Sequence, residues 1–160
     1  MLVFVWNLIY NESKQIKKRE EIAMIKLIAG GKGSGKTKRL IDMANAAVKT
    51  SDGHVVFIDD DRRHIYDLHY DIRFVETLDY PLSNYREFIG FVCGVLSQDN
   101  DIIEIFVDGI TNVIKTIDND GLIKLKNKLD KLSESHGVNF IMSINCDPAE
   151  LPQEMKELVI

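Results

Sequence analysis

Residues 24–40 read MIKLIAGGKGSGKTKRL, and their centre, Gly30-Gly31-Lys32-Gly33-Ser34-Gly35-Lys36-Thr37, decides what the rest of the chain must build. Residues 25–29 before it form a short apolar run that suits a buried strand. After it, Leu40, Ile41, Ala44, Ala47 and Val48 recur on one face of an amphipathic helix. Strand, glycine loop and helix in that order fit G-x-x-x-x-G-K-[ST] at every fixed position. Composition alone produces such a match in a chain this long with odds on the order of half a percent. Glycines without Cβ let successive backbone N–H groups turn inward as a concave anion nest, and a helix N-terminus adds about half a positive charge. The loop is therefore expected to cradle phosphates with Gly30, Gly31, Lys32, Gly33, Ser34 and Gly35. Lys36 is expected to reach the terminal phosphates as a point charge, and Thr37 to offer its hydroxyl to Mg²⁺.

The remaining chain alternates short apolar runs with helical periodicities. Residues 55–58, 72–75, 102–107 and 138–144 read as strands. Tyr85, Phe88, Ile89, Val92 and Leu96 share one helical face, as do Leu122, Leu125, Leu129 and Leu132, with Gly137 as the stop of the second helix. Gly90 and Gly94 are expected to let the first of these helices pack close to a neighbour, and Cys93 to lie in the core. Strands and helices at this spacing imply a three-layer α/β fold with a mainly parallel central sheet.

On these residues the chain resembles the P-loop NTPase superfamily over residues 25–145. The resemblance implies ATP with Mg²⁺, and a second motif, an apolar strand ending in a metal-binding Asp. Ile105-Phe106-Val107-Asp108 fits it, so Asp108 joins Thr37 as an expected metal residue. Asn145, after the last strand, matches the polar sensor that many such ATPases place near the γ-phosphate. In the additional-strand class a Glu follows the metal-binding Asp and polarises the attacking water; here that position is Gly109. The chemistry is therefore expected to be slow, with Asp60 or Glu76 supplying a carboxylate from a neighbouring strand end, and Arg62 or Arg63 acting as a finger. No N-K-x-D segment reads guanine, so ATP is expected rather than GTP. More narrowly, residues 24–40, 106–109 and 147–152 are similar to a family of short bacterial ATP-binding proteins, some labelled twitching-motility ATPases.

Two other functions fit the same residues. In shikimate-kinase-like enzymes an acidic pair after the second strand serves the acceptor hydroxyl, and Asp59 and Asp61 have that spacing. Such kinases clamp the phosphoryl group with lid arginines, and this chain has none after Arg86. Gly109 also suits a nucleotide-gated module that holds ATP or ADP and shows different surfaces to a protein partner.

With 160 residues, 45% hydrophobic and 28% charged, the chain has room for one nucleotide-binding domain, at residues 24–160. Its net charge of -5 argues against nucleic acid as partner, and Lys124, Lys126, Lys128 and Lys131 read as the solvated side of a helix. Two cysteines without a CxxC pair, and four histidines without ligand spacing, encode no disulfide framework or zinc site, and the protein reads as cytoplasmic. Residues 1–10 are apolar, but ten helical residues span only ~15 Å, so no membrane span is expected. Residues 1–23 read as an extension that is poorly ordered or outside the natural protein. Arg19-Glu20-Glu21 fits purine-rich codons resembling a ribosome-binding site, with Met24 as the start.

Overall fold

A computed structural model describes residues 24–160 and, before them, Val5 alone; the expectations for residues 1–23 lie outside the described residues. Five strands form one parallel sheet: β1 (Ile25–Gly30), β2 (His54–Asp59), β3 (Arg73–Glu76), β4 (Ile102–Val107) and β5 (Asn139–Asn145). Their order is β1-β5-β4-β2-β3, so β5 stands between β1 and β4. The helices are α1 (Lys36–Thr50), α2 (Tyr85–Ser97), α3 (Ile110–Val113), α4 (Asn119–His136) and α5 (Gln153–Lys156).

Strand residues alternate between two apolar clusters, which makes the fold three layers deep. Ile28, Val55, Phe57, Phe106 and Ile141 pack with Leu40, Ile41 and Ala44 of α1. Leu27, Val56, Ile58, Ile105, Val107, Phe140, Met142 and Ile144 pack with α2 and α4 on the other face. All of these are nearly fully removed from water, and each large side chain contributes about 1.5–3 kcal/mol. Under α1, Ile141, Phe106, Phe57 and Phe74 sit in register across β5, β4, β2 and β3. The Phe57 ring stacks on Phe74 and on Phe106, each at 6.4 Å between centroids.

Two residues further along each strand, on the same face, the row turns polar: Ser143, Asp108, Asp59 and Glu76. Ser143, Asp108 and Asp59 are buried, and all four stand at the carboxyl end of the sheet, where open α/β sheets take ligands. A Ser in β5 and an Asp after β4 thus face the start of α1 because of strand parity alone.

The sheet edge beside β1 is closed by the chain's last residues. Leu27 N–H donates to Leu158 O at 2.8 Å, Ile160 N–H to Leu27 O at 3.0 Å, and Arg39 Nη1 to Ile160 O at 2.8 Å. Two expectations are corrected. A Cβ on Gly90 or Gly94 would meet nothing within 4 Å, and Cys93 is exposed, so all three lie on the solvent side of α2. The apolar stripe of that helix is Phe88, Val92, Val95 and Leu96, with Tyr85, Ile89 and Phe91 packed against the same core, which leaves Gly90, Cys93 and Gly94 outward. Among the described residues no helix is long and apolar enough to cross a membrane.

Candidate functional site

The loop between β1 and α1 is built by two glycines at positive φ, Gly33 at 81° and Gly35 at 85°, where any other L-residue is strained. Gly30 is needed for space: a Cβ there would stand 2.7 Å from Ser34 Oγ. Lys36 Nζ donates to Gly31 O at 2.7 Å and to Ser34 Oγ at 3.3 Å, so the ammonium lies over the loop.

The first turn of α1 differs from those of the other long helices. Asn84 caps α2, accepting from Arg86 and Glu87 N–H, and Asp118 caps α4, accepting from Gly121 N–H. Each also has an acid in its first turn, which suits the positive helix end. By contrast α1 has neither a side-chain cap nor an acid, and opens on Lys36, Lys38 and Arg39. Its free N–H groups and three cationic side chains reinforce one another at the end of the macrodipole that is already positive. That arrangement is electrostatically unfavourable by itself and favourable beneath a polyanion.

A cleft of about 600 Å³ opens above this turn, within the range of small-molecule pockets. Lys32, Lys36, Thr37, Asp108, Asn145 and Asp60 border it, together with Gly33 and Gly35. The structure thus gathers these sequence-derived candidates at one place. Thr37 Oγ1 donates to Asp108 Oδ2 at 2.8 Å, joining the first turn of α1 to the end of β4. Asn145 is exposed at the end of β5, in register with Gly30.

Three further residues of the cleft escape the sequence reading or are misplaced by it. Ser143, 1% exposed, donates to Asp108 Oδ1 at 2.5 Å and accepts Gly109 N–H at 2.7 Å, so one hydroxyl fixes both the carboxylate and the turn after it. Its signal in the sequence is a single polar residue inside the apolar run of β5. Asp59, rather than its more exposed neighbour Asp60, is the buried carboxylate beside Asp108. Burial, then the Asp108 charge and the Asp60 side chain, push the Asp59 carboxyl up to about 7, against weaker help to its anion from Asp61 N–H. Asn112, in α3, also borders the cleft.

The arginines are engaged elsewhere. Arg62 Nε lies 2.6 Å from Glu76 Oε2, and Arg63 pairs with Asp61 at 2.6 Å, which holds the Asp61 carboxyl below the usual range. Arg63 nonetheless borders the cleft, as does His64. The segment after β2 is pinned to α1 by Asn45, whose Nδ2 donates to Asp67 O at 2.9 Å and whose Oδ1 accepts His69 N–H at 2.7 Å. At the start of α4, Asp118 Oδ1 accepts Gly121 N–H at 2.8 Å. At the opposite end of the sheet, His54, Asp99 and Asp101 bring one ligand atom each within 4.8 Å of one another. His54 Nδ1 and Asp99 Oδ2 are 2.6 Å apart, which raises the imidazole and lowers the carboxyl.

No protein-family model matches the chain, and no curated protein matches it either.

Proposed function

We propose that the protein binds ATP as its magnesium complex at residues 30–37 and hydrolyses it slowly, as a P-loop NTPase of the additional-strand class. The observation that carries this reading is the first turn of α1, uncapped and cationic at its positive end beneath an open cleft. The position of β5 between β1 and β4 supports the class.

The donors suit Mg²⁺: Thr37 Oγ1 and Asp108 Oδ2 are hard oxygens already 2.8 Å apart. Thr37 and Asp108 would hold the ion, which when bound neutralises charge on the phosphoryl oxygens. Lys36 and the loop N–H groups stabilise the same oxygens as charge develops. Ser143 keeps Asp108 in one orientation. Gly109 supplies no carboxylate, so the attacking water falls to Asp60, just past the end of the neighbouring strand β2 and at the rim of the cleft. A base so placed accounts for slow turnover.

The test is to incubate the full chain and Lys36→Ala with MgATP, reading ADP and free phosphate separately and binding of labelled ATP alongside. Equal release of both products, dependent on Lys36, is the expected result. ATP binding that ignores Lys36, or no binding, would overturn the reading.

One observation favours a second reading, the nucleotide-gated interaction module. Tyr66 and Tyr70 are 97% and 88% exposed on the segment whose Arg63 and His64 border the cleft. Exposed tyrosines are typical of protein interfaces, and γ-phosphate contacts on that segment would reach them. Tight binding with negligible turnover is the outcome that selects it.

A further inference from the structure

We infer that Asp59 and Asp108 form a seat for a divalent cation that fills before any nucleotide arrives. The inference rests on the proposed phosphate cleft and deepens it by assigning the order of binding.

Ile58 and Val107 are register partners, and Asp108 N–H continues the ladder to Ile58 O at 2.9 Å, so Asp59 and Asp108 end neighbouring strands side by side. Adjacent strands are about 4.8 Å apart. Both side chains are on the α1 face, 4% and 8% exposed. Asp59 Oδ1 accepts Asp60 N–H at 2.7 Å and Asp61 N–H at 3.4 Å. No N–H or O–H among the described residues donates to Asp59 Oδ2, although the residue borders the cleft. Asp108 receives only neutral donors, the hydroxyls of Thr37 and Ser143.

Two carboxylates that end neighbouring strands and are this little exposed repel each other, and a cation between them relieves that repulsion. The protein has cations nearby and spends none of them here. Lys36 is turned to Gly31 O and Ser34 Oγ, Arg62 to Glu76, and Arg63 to Asp61. Among the described residues no ion pair within 4.0 Å includes Asp59 or Asp108. Asp59 Oδ2, Asp108 and Thr37 Oγ1 instead offer three hard oxygens from β2, β4 and α1, a donor set for Mg²⁺ or Mn²⁺. These oxygens stand in place whether or not phosphate is present, so the ion does not depend on ATP to bring it.

The test titrates Mn²⁺ into the nucleotide-free full chain at pH 8, with free Mn²⁺ read by electron paramagnetic resonance. One site per chain is expected, weakened about tenfold or more in Asp59→Asn, a near-isosteric change whose folding is checked by circular dichroism. On the same samples Mg²⁺ is expected to raise the melting temperature of the wild type and leave that of the variant in place. No Mn²⁺ bound by the wild type without ATP overturns the inference, and so does equal binding by Asp59→Asn. Labelled ATP binding to wild type and Lys36→Ala is measured separately. ATP binding without a nucleotide-free Mn²⁺ site leaves the nucleotide reading intact and removes this one; a Mn²⁺ site without ATP binding does the reverse.

Discussion

Single residues of the cleft make separable contributions. Lys36 offers the one ammonium that already lies over the loop, and hydrogen bonds from a charged donor are worth about 1.5–3 kcal/mol. Lys36→Ala is therefore expected to weaken ATP binding by about 10- to 100-fold, read by equilibrium dialysis. Asp59 gives a pH signature. Its carboxyl is raised to about 7 in the folded protein, so the fold binds that proton more tightly than the unfolded chain does. Stability from this group is full at low pH and declines as pH rises from the unfolded carboxylate range toward 7. In chelator, Asp59→Asn should therefore stabilise the protein at pH 8 by a gain on the order of 2–4 kcal/mol that disappears by about pH 4, measured by urea unfolding. Ser143→Ala leaves Gly109 N–H and Asp108 Oδ1 short of their shared partner in a buried place. It is expected to cost about 1–3 kcal/mol in the same assay.

At the scale of elements, the strands and long helices were legible because their apolar periodicities are strong. The strand expected at residues 102–107 coincides with β4, β1 runs one residue further than expected, β2, β3 and β5 each differ by one residue at both ends, and Gly137 ends α4 in the left-handed region at φ 64°. Short elements were not legible. The four-residue helices α3 and α5 are less than two turns each and carry no period to read. The phosphate loop was legible since its chemistry is local in sequence, whereas Ser143 and Asp59 matter through register with Asp108. Register becomes visible only once β5 and β2 are known to flank β4. The segment between β2 and β3 shows how an element is attached by one side chain. Asn45→Ala removes both bonds that pin it to α1. Amide exchange in residues 64–70 should accelerate in that variant while the strands keep their protection.

For the whole molecule, ligand binding and folding are linked. MgATP at about 100 times its dissociation constant should add about 2.7 kcal/mol to the unfolding free energy. In a domain of this size that is a rise of roughly 5–10 °C in melting temperature, cut by about half or more in Lys36→Ala and read by scanning calorimetry. The sheet that carries this linkage separates two jobs along each strand. Ile141, Phe106, Phe57 and Phe74 hold the layer together, and Ser143, Asp108, Asp59 and Glu76, one pleat further, form the polar row at its carboxyl end. Replacing a residue of the second row leaves the first untouched, so a lineage built on this sheet can change its polar row by point substitution without rebuilding its core. Deleting one residue within a strand shifts both rows to the wrong face at once. Substitution at the rim should therefore spare the packed layer, whereas a change of length within a strand should not.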